Sequence, residues 1–124
     1  MIKGIHHVSL KGSKEEYAQA KHFYGEVLGM KATHETEKSV LYDTGAGFVE
    51  LGIDTDPQLP KGTIRHFALA CDDVDLCLKT VKDAGFEVFM EAKDIVMASD
   101  PPFPARIGFC YGPMGEEIEF FCEK

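Results

Sequence analysis

Ile5-His6-His7-Val8-Ser9-Leu10 and Ile64-Arg65-His66-Phe67-Ala68-Leu69 lie over one another without a gap, setting His7 on His66 between matching apolar neighbours. Self-similarity of this kind means that one supersecondary unit is built twice, so the repeat governs every later reading. Each opening runs into a polar cap and a helix pattern. Ser13-Lys14-Glu15-Glu16 reads as a capping box, in which the Ser13 hydroxyl and the Glu16 carboxylate satisfy free amides at a helix start. Tyr17, Ala20, Tyr24, Val27 and Leu28 recur at three- and four-residue steps, which predicts a helix to about Leu28 with Gly29 at the left-handed stop. In the second copy Asp72 or Asp73 caps a helix carrying Val74, Cys77, Leu78 and Val81, and Gly85 ends it.

The two ends match as well. The stretch from Tyr42 to Glu50 and the stretch from Tyr111 to Glu119 each run from a strand-ending tyrosine through a glycine-containing turn into a new strand, and Glu50 falls on Glu119. The offset between copies is 59 residues at the histidines and 69 at the glutamates, so the second copy carries about ten extra residues, assigned to a loop at Ser99-Asp100-Pro101-Pro102-Phe103-Pro104. Gln58-Leu59-Pro60-Lys61-Gly62 connects the copies. Strands are expected near residues 2–10, 31–36, 38–43, 47–53, 63–71, 86–91, 94–98, 105–111 and 116–122. The expected fold class is α+β: one domain over 1–124 made of two βαβββ modules, about 1–56 and 63–124, related by a pseudo-twofold axis. They would form a curved, partly closed mixed sheet around a cavity, within one chain or by exchange of halves between subunits.

Side chains alternate along a strand, so residues two apart share a face. Val8 and Leu10, Val49 and Leu51, Phe67 and Leu69, and Ile118 and Phe120 should face the helices. His7, Glu50, His66 and Glu119 are then left on the opposite, concave side, with Ser9, Gly52, Ala68 and Ala70 leaving space beside them. Carboxylates in such a place need a partner, because an unpaired buried charge costs several kcal/mol or more. A divalent cation supplies one: two imidazoles and two carboxylates neutralise it and suit nickel, cobalt, zinc, iron or manganese, with two positions of an octahedral ion left for water or substrate. The bland alternative is a polar cavity in which the carboxylates pair with Arg65, Arg106 or Lys11. If Ile107, Phe109 and Tyr111 face the helix, Arg106 joins Gly108 and Cys110 on the concave side and is a candidate holder of an anionic substrate group. His6, His22 and His34 read as structural or surface residues.

Composition narrows the function classes. Hydrophobic residues make up 44% and charged residues 27%, an ordinary globular balance that argues against disorder. Thirteen basic against twenty-one acidic residues give a formal charge of -8, which repels phosphate backbones and anionic lipid surfaces, so neither nucleic acid nor membrane is an expected partner. No apolar run reaches the roughly 18 residues of a membrane span, and Met1-Ile2-Lys3-Gly4 leads into a strand pattern without a signal peptide's hydrophobic region. The expected address is the cytoplasm. Cys71, Cys77, Cys110 and Cys122 show no C-x-x-C spacing and read as reduced, packed thiols.

Over nearly its whole length the chain resembles the vicinal oxygen chelate superfamily, which includes glyoxalase I, methylmalonyl-CoA epimerase, extradiol dioxygenases and fosfomycin or bleomycin resistance proteins. The resemblance rests on Ile5-His6-His7-Val8, the helix end His22-Phe23-Tyr24-Gly25-Glu26-Val27-Leu28-Gly29-Met30, Ile64-Arg65-His66-Phe67-Ala68, and Gly115-Glu116-Glu117-Ile118-Glu119-Phe120. A carboxylate at the second ligand position, here Glu50, is what the resemblance associates with bacterial glyoxalase I, where the epimerase has glutamine. It implies a lyase or isomerase that converts the hemithioacetal of a 2-oxoaldehyde such as methylglyoxal and a thiol into a 2-hydroxyacyl thioester. The implied metal is one divalent ion, nickel or cobalt first, held by His7, Glu50, His66 and Glu119. It would polarise adjacent substrate oxygens while a carboxylate moves the carbon-bound proton, Glu119 first and Glu50 on the opposite face. Two positions depart from the pattern: Lys11 stands where arginine usually meets the thiol's carboxylate, and Asp54 where asparagine is usual. Lys11 keeps the charge without the bidentate fork. Asp54 would repel an anionic tripeptide, so the thiol need not be glutathione. A homodimer is implied. The competing readings are an epimerase or dioxygenase acting on another chelating small molecule, and a non-catalytic antibiotic-binding protein of the same fold, against which the absence of tryptophan counts.

Overall fold

In a computed structural model, residues 5, 7–54, 66–98 and 101–124 are described. The strand starts expected at 2–4 and 63–65, the connector at 58–62, His6, the pairing role of Arg65, and Ser99 and Asp100 of the proline-rich loop lie outside the described residues, and Ile5 is exposed and outside β1. The chain divides into two compact units, Met1–Pro60 and Lys61–Lys124, each an α+β module with a four-stranded mixed sheet.

The first unit runs β1 (His7–Gly12), α1 (Lys14–Lys21), a π-helical segment (His22–Val27), β2 (Lys31–Thr33), β3 (Ser39–Asp43) and β4 (Phe48–Ile53). Ser13 caps α1 as expected: its hydroxyl accepts the Glu16 amide at 3.1 Å and the Glu16 carboxylate accepts the Ser13 amide at 2.9 Å. The helix does not stay α-helical to Leu28. Its last turns widen, with the Leu28 amide donating to the Phe23 carbonyl five residues back, and Gly29 at φ +73 ends it. The wider turn brings Phe23, absent from the predicted stripe, into the core beside Tyr17, Ala20 and Tyr24. Strand β2 stops at Thr33, short of the predicted residue 36, where His34 takes a left-handed φ of +45.

The second unit repeats the plan: β5 (Phe67–Ala70), α2 (Val74–Asp83), β6 (Val88–Met97), β7 (Phe103–Tyr111) and β8 (Glu117–Glu123). Of the two predicted caps it is Asp73 that accepts an amide, from Leu76 at 2.9 Å, and Gly85 takes φ +87 past the helix end. The two strands predicted at 86–91 and 94–98 are one ten-residue strand with irregular register between Val88 and Lys93. The extra length of this copy therefore goes chiefly into strands: β6 and β7 have 10 and 9 residues where β2 and β3 have 3 and 5. Phe103 and Pro104 belong to β7 rather than to the loop.

Strand order is β1-β4-β3-β2 in one sheet and β5-β8-β7-β6 in the other, so each module sets its first strand parallel to its last. Helices cover one face. In the first unit Val40, Tyr42, Val49 and Leu51 are buried with α1, and in the second Val74, Leu78 and Val81 of α2 are buried with Cys110, Ile118 and Phe120. No helix among the described residues is long and apolar enough to cross a membrane.

One expectation about faces is reversed. Tyr42 and Tyr111 are not equivalent, because four residues join β3 to β4 in the register Asp43 opposite Phe48, whereas five join β7 to β8 in the register Tyr111 opposite Glu117. A one-residue change of register turns every side chain to the other face. Tyr42 pairs with Val49 towards the helix, and the residue in its place in the second unit is Cys110, paired with Ile118. Arg106, Gly108 and Cys110 accordingly face α2, and Phe109 and Tyr111 face away from it. Gly108 is required there: an added Cβ would lie 2.5 Å from Leu78 Cδ1 and 3.2 Å from Val74 Cγ1, both on buried α2 side chains. Gly108→Ala is expected to lower unfolding stability by about 1–3 kcal/mol through overpacking, read as a reduced urea midpoint at unchanged slope.

Candidate functional site

The parallel ladder between first and last strands decides what stands beside each glutamate. In the first unit Ser9 is opposite Glu50 and Leu41 flanks it from β3. In the second, Ala68 is opposite Glu119 and Phe109 flanks it from β7. The two glutamates therefore hold equivalent places in register and face, on the side of each sheet away from its helix.

Their immediate partners differ because Ser9 has a hydroxyl and Ala68 has none. The Ser9 hydroxyl donates to Glu50 Oε1 at 2.9 Å. Glu119 instead lies 3.2 Å from His66 Nε2 through its Oε2. It is the one buried charged residue among the described residues, 9% exposed, while the His66 side chain is 40% exposed. An imidazole nitrogen and a carboxylate oxygen at this spacing suit neighbouring positions on one divalent ion, since bonds of about 2.1 Å at a right angle put their donors about 3 Å apart. The His66–Glu119 pair thus has the chemistry and spacing of two donors to the metal that the resemblance implies. His7 sits on β1 two residues before Ser9 and shares the face of Glu50. Among the described residues no group of three or more His, Cys, Asp or Glu side chains is gathered as one metal site.

Lys11 continues the same face of β1 opposite Gly52, where its Cγ would lie 3.6 Å from an added Cβ. Asp54 follows β4, its amide donating to the Gly12 carbonyl at 2.8 Å. Arg106 is corrected as a site residue. Its Nε and Nη2 donate to the two carboxylate oxygens of Asp75 at 2.6 and 2.8 Å, and its Nη1 donates to Asp94 at 3.0 Å. That fork clamps α2 to β7 and β6 on the far side of the sheet from Glu119. The hydrogen bonds from Arg106 hold the Asp75 carboxyl below its ordinary value, and those from Lys124 and then Arg106 do the same for Asp94.

The four cysteines are free thiols, as the sequence implied. Burial pushes Cys71 and Cys110 up to about 12 and raises Cys77, so they stay protonated near neutrality. Sequence reasoning missed the rings beside Glu119. Phe109 meets the His66 ring edge to face at 5.2 Å, Phe89 lies 5.6 Å from Phe109, and Phe89 stacks on Tyr111 at 4.3 Å. The available signal was Gly108, whose smallness marks the helix side of β7 and so assigns Phe109 to the other.

A family model described as the Glyoxalase/Bleomycin resistance protein/Dioxygenase superfamily matches residues 4–120. No curated protein matches the chain. Among solved structures, a glyoxalase/dioxygenase from Nostoc punctiforme is similar at 15% identity with TM-score 0.75, covering 98% of this chain and 92% of that one. A glyoxalase/bleomycin resistance protein/dioxygenase from Alicyclobacillus acidocaldarius gives 16%, 0.72, 97% and 91%. A lactoylglutathione lyase from Agrobacterium tumefaciens gives 16%, 0.68, 98% and 95%. At these identities the likeness is one of fold.

The Arg106 clamp carries a testable consequence. Asp75 titrates below its ordinary value of 3.8 in the folded chain, so its contribution to stability is complete above that pH and is lost as pH falls through the depressed folded value. In Arg106→Gln the Asp75 carboxyl is expected to titrate nearer 3.8 by carboxyl NMR, while metal content stays that of the native chain.

Proposed function

The chain belongs to the Glyoxalase/Bleomycin resistance protein/Dioxygenase superfamily, and on that premise we propose that it is a metal-dependent lyase or isomerase of the glyoxalase I type. Members of the superfamily generally bind a divalent metal and act on small molecules. The proposed substrate is the hemithioacetal of a 2-oxoaldehyde, methylglyoxal being the simplest, and the product a 2-hydroxyacyl thioester. The observation that carries the reading is the buried Glu119 carboxylate 3.2 Å from His66, repeated in register by Glu50 with His7 on the same face of the other module.

His7, Glu50, His66 and Glu119 would hold one divalent ion, nickel or cobalt before zinc, iron or manganese. When bound, that ion supplies Lewis-acid polarisation of two adjacent substrate oxygens. The remaining chemistry falls to side chains of this chain. Glu119 takes the proton from the carbon that bears the thiol and returns it to the neighbouring carbon, and Glu50 serves the opposite face of the substrate. Glu119 is placed first because its burial strengthens its electrostatics, whereas the Ser9 hydroxyl occupies one oxygen of Glu50. Lys11 meets the thiol's anionic end as a point charge, without the forked recognition of a carboxylate that arginine gives.

We also propose a homodimer. His7, Ser9, His66, Ala68 and Ala70 are all exposed, and a second copy brings further donors to these faces. The address that fits a thiol-dependent reaction is the cytoplasm. Elemental analysis of the purified protein, followed by an assay of methylglyoxal with several thiols, tests the whole reading. One equivalent of a transition metal per chain is expected, together with thioester formation that falls about 10²–10⁴-fold in Glu119→Gln. Metal without turnover would favour an epimerase or dioxygenase on another chelating substrate.

A further inference from the structure

We propose that Phe89, Phe109 and Tyr111 form a subsite for a flat ring beside the His66–Glu119 pair, so that the natural substrate carries an aromatic group next to its two chelating oxygens. The inference rests on the reaction proposed above and names the class of 2-oxoaldehyde it uses.

Three observations converge. The rings make a continuous row that starts at the donor pair: Phe109 stands opposite Glu119 in the ladder and edge to face with His66 at 5.2 Å, and Phe89 bridges from Phe109 to Tyr111 at 5.6 and 4.3 Å. The row is also open. Phe89 is 37% exposed although burying a phenylalanine contributes roughly 1.5–3 kcal/mol, and beyond β8 the exposed Ala68 and Ala70 of β5 are small on the same face. Finally, the fold does not require the rings. The first module builds the same sheet with Leu41 in the place of Phe109 and Asp43 in the place of Tyr111. A row of three rings beside a buried carboxylate points to a ligand ring, which such a row accepts by stacking or edge contact.

The test uses two chelators that present the same pair of oxygens and differ in the ring. Nickel-loaded protein is titrated calorimetrically with benzohydroxamate and with acetohydroxamate. The ring-bearing compound is expected to bind about tenfold tighter, to move the side-chain resonances of Phe89 and Tyr111, and to lose its preference to within about twofold in Phe89→Ala. Equal affinities in the native chain, or a preference that survives both Phe89→Ala and Tyr111→Leu, would overturn the subsite. If neither compound binds, the chelate reading fails on its own account. Phenol titrated into metal-free protein then decides the subsite: shifts at Phe89, Phe109 and Tyr111 sustain it, and their absence overturns it. Ring resonances that move with protein concentration alone give the row to a second copy and overturn it as well.

Discussion

The parallel pairing of the first strand of each module with its last is the constraint on which the rest depends. It places Ser9 beside Glu50 and Ala68 beside Glu119, residues 41 and 51 positions apart in the chain. A parallel neighbour can be reached only by a long crossover, and the helix within that crossover must cover one face of the sheet. Val49 and Leu51, or Ile118 and Phe120, are sealed under it. A slip of one residue would turn Glu50 and Glu119 under the helices, where an unpaired carboxylate costs several kcal/mol. The pattern that closes the core is therefore also what fixes the face of the acidic side chains.

Within that common frame a serine hydroxyl in the first module has no counterpart in the second. The Ser9 hydroxyl engages Glu50 as a neutral donor across the ladder, and Ala68, its counterpart, offers only a methyl group. Glu119 is left to His66, and Phe109 walls it on the other side where Glu50 has Leu41. Equivalent backbones thus carry carboxylates of unequal environment, one hydrogen-bonded and half-buried, the other drier and ringed by π faces. Such inequality is what the different parts proposed for the two carboxylates would require.

Much of this was legible in the sequence because β1, β4, β5 and β8 alternate polar and apolar residues, so period-two reading assigns their faces without ambiguity. The faces of those four strands follow from it, while the repeat and the Ser13 cap were legible in motifs of their own. Strand β7 resisted the same reading: Ala105, Ile107, Phe109 and Tyr111 on one face are uncharged, the other mixes Arg106 with Gly108 and the buried Cys110, and both sets are partly covered. Matching Tyr111 to Tyr42 then imported a wrong face, since the longer β7–β8 connection shifts register by one. The π-helical turn left no signal either, because an i→i−5 bond such as Leu28 to Phe23 depends on how the helix end packs and not on residue spacing.

The corrected face of β7 divides the second sheet between two kinds of work. Towards α2 lie the Gly108 gap, which lets the helix approach, and the Arg106 fork to Asp75 and Asp94, which pins it. Exposed ion pairs of this sort contribute little singly. Here, however, one guanidinium joins a helix and two strands, which favours geometry over raw stability. The desolvated Cys110 thiol fills the same side without offering a thiolate. On that face Arg106 is taken up in holding α2, and the opposite face carries the buried Glu119, its imidazole partner and the rings. A sheet braced on one side in this way can hold a carboxylate and an aromatic row at fixed separation on the other, and fixed separation is what the proposed recognition of a chelating substrate requires.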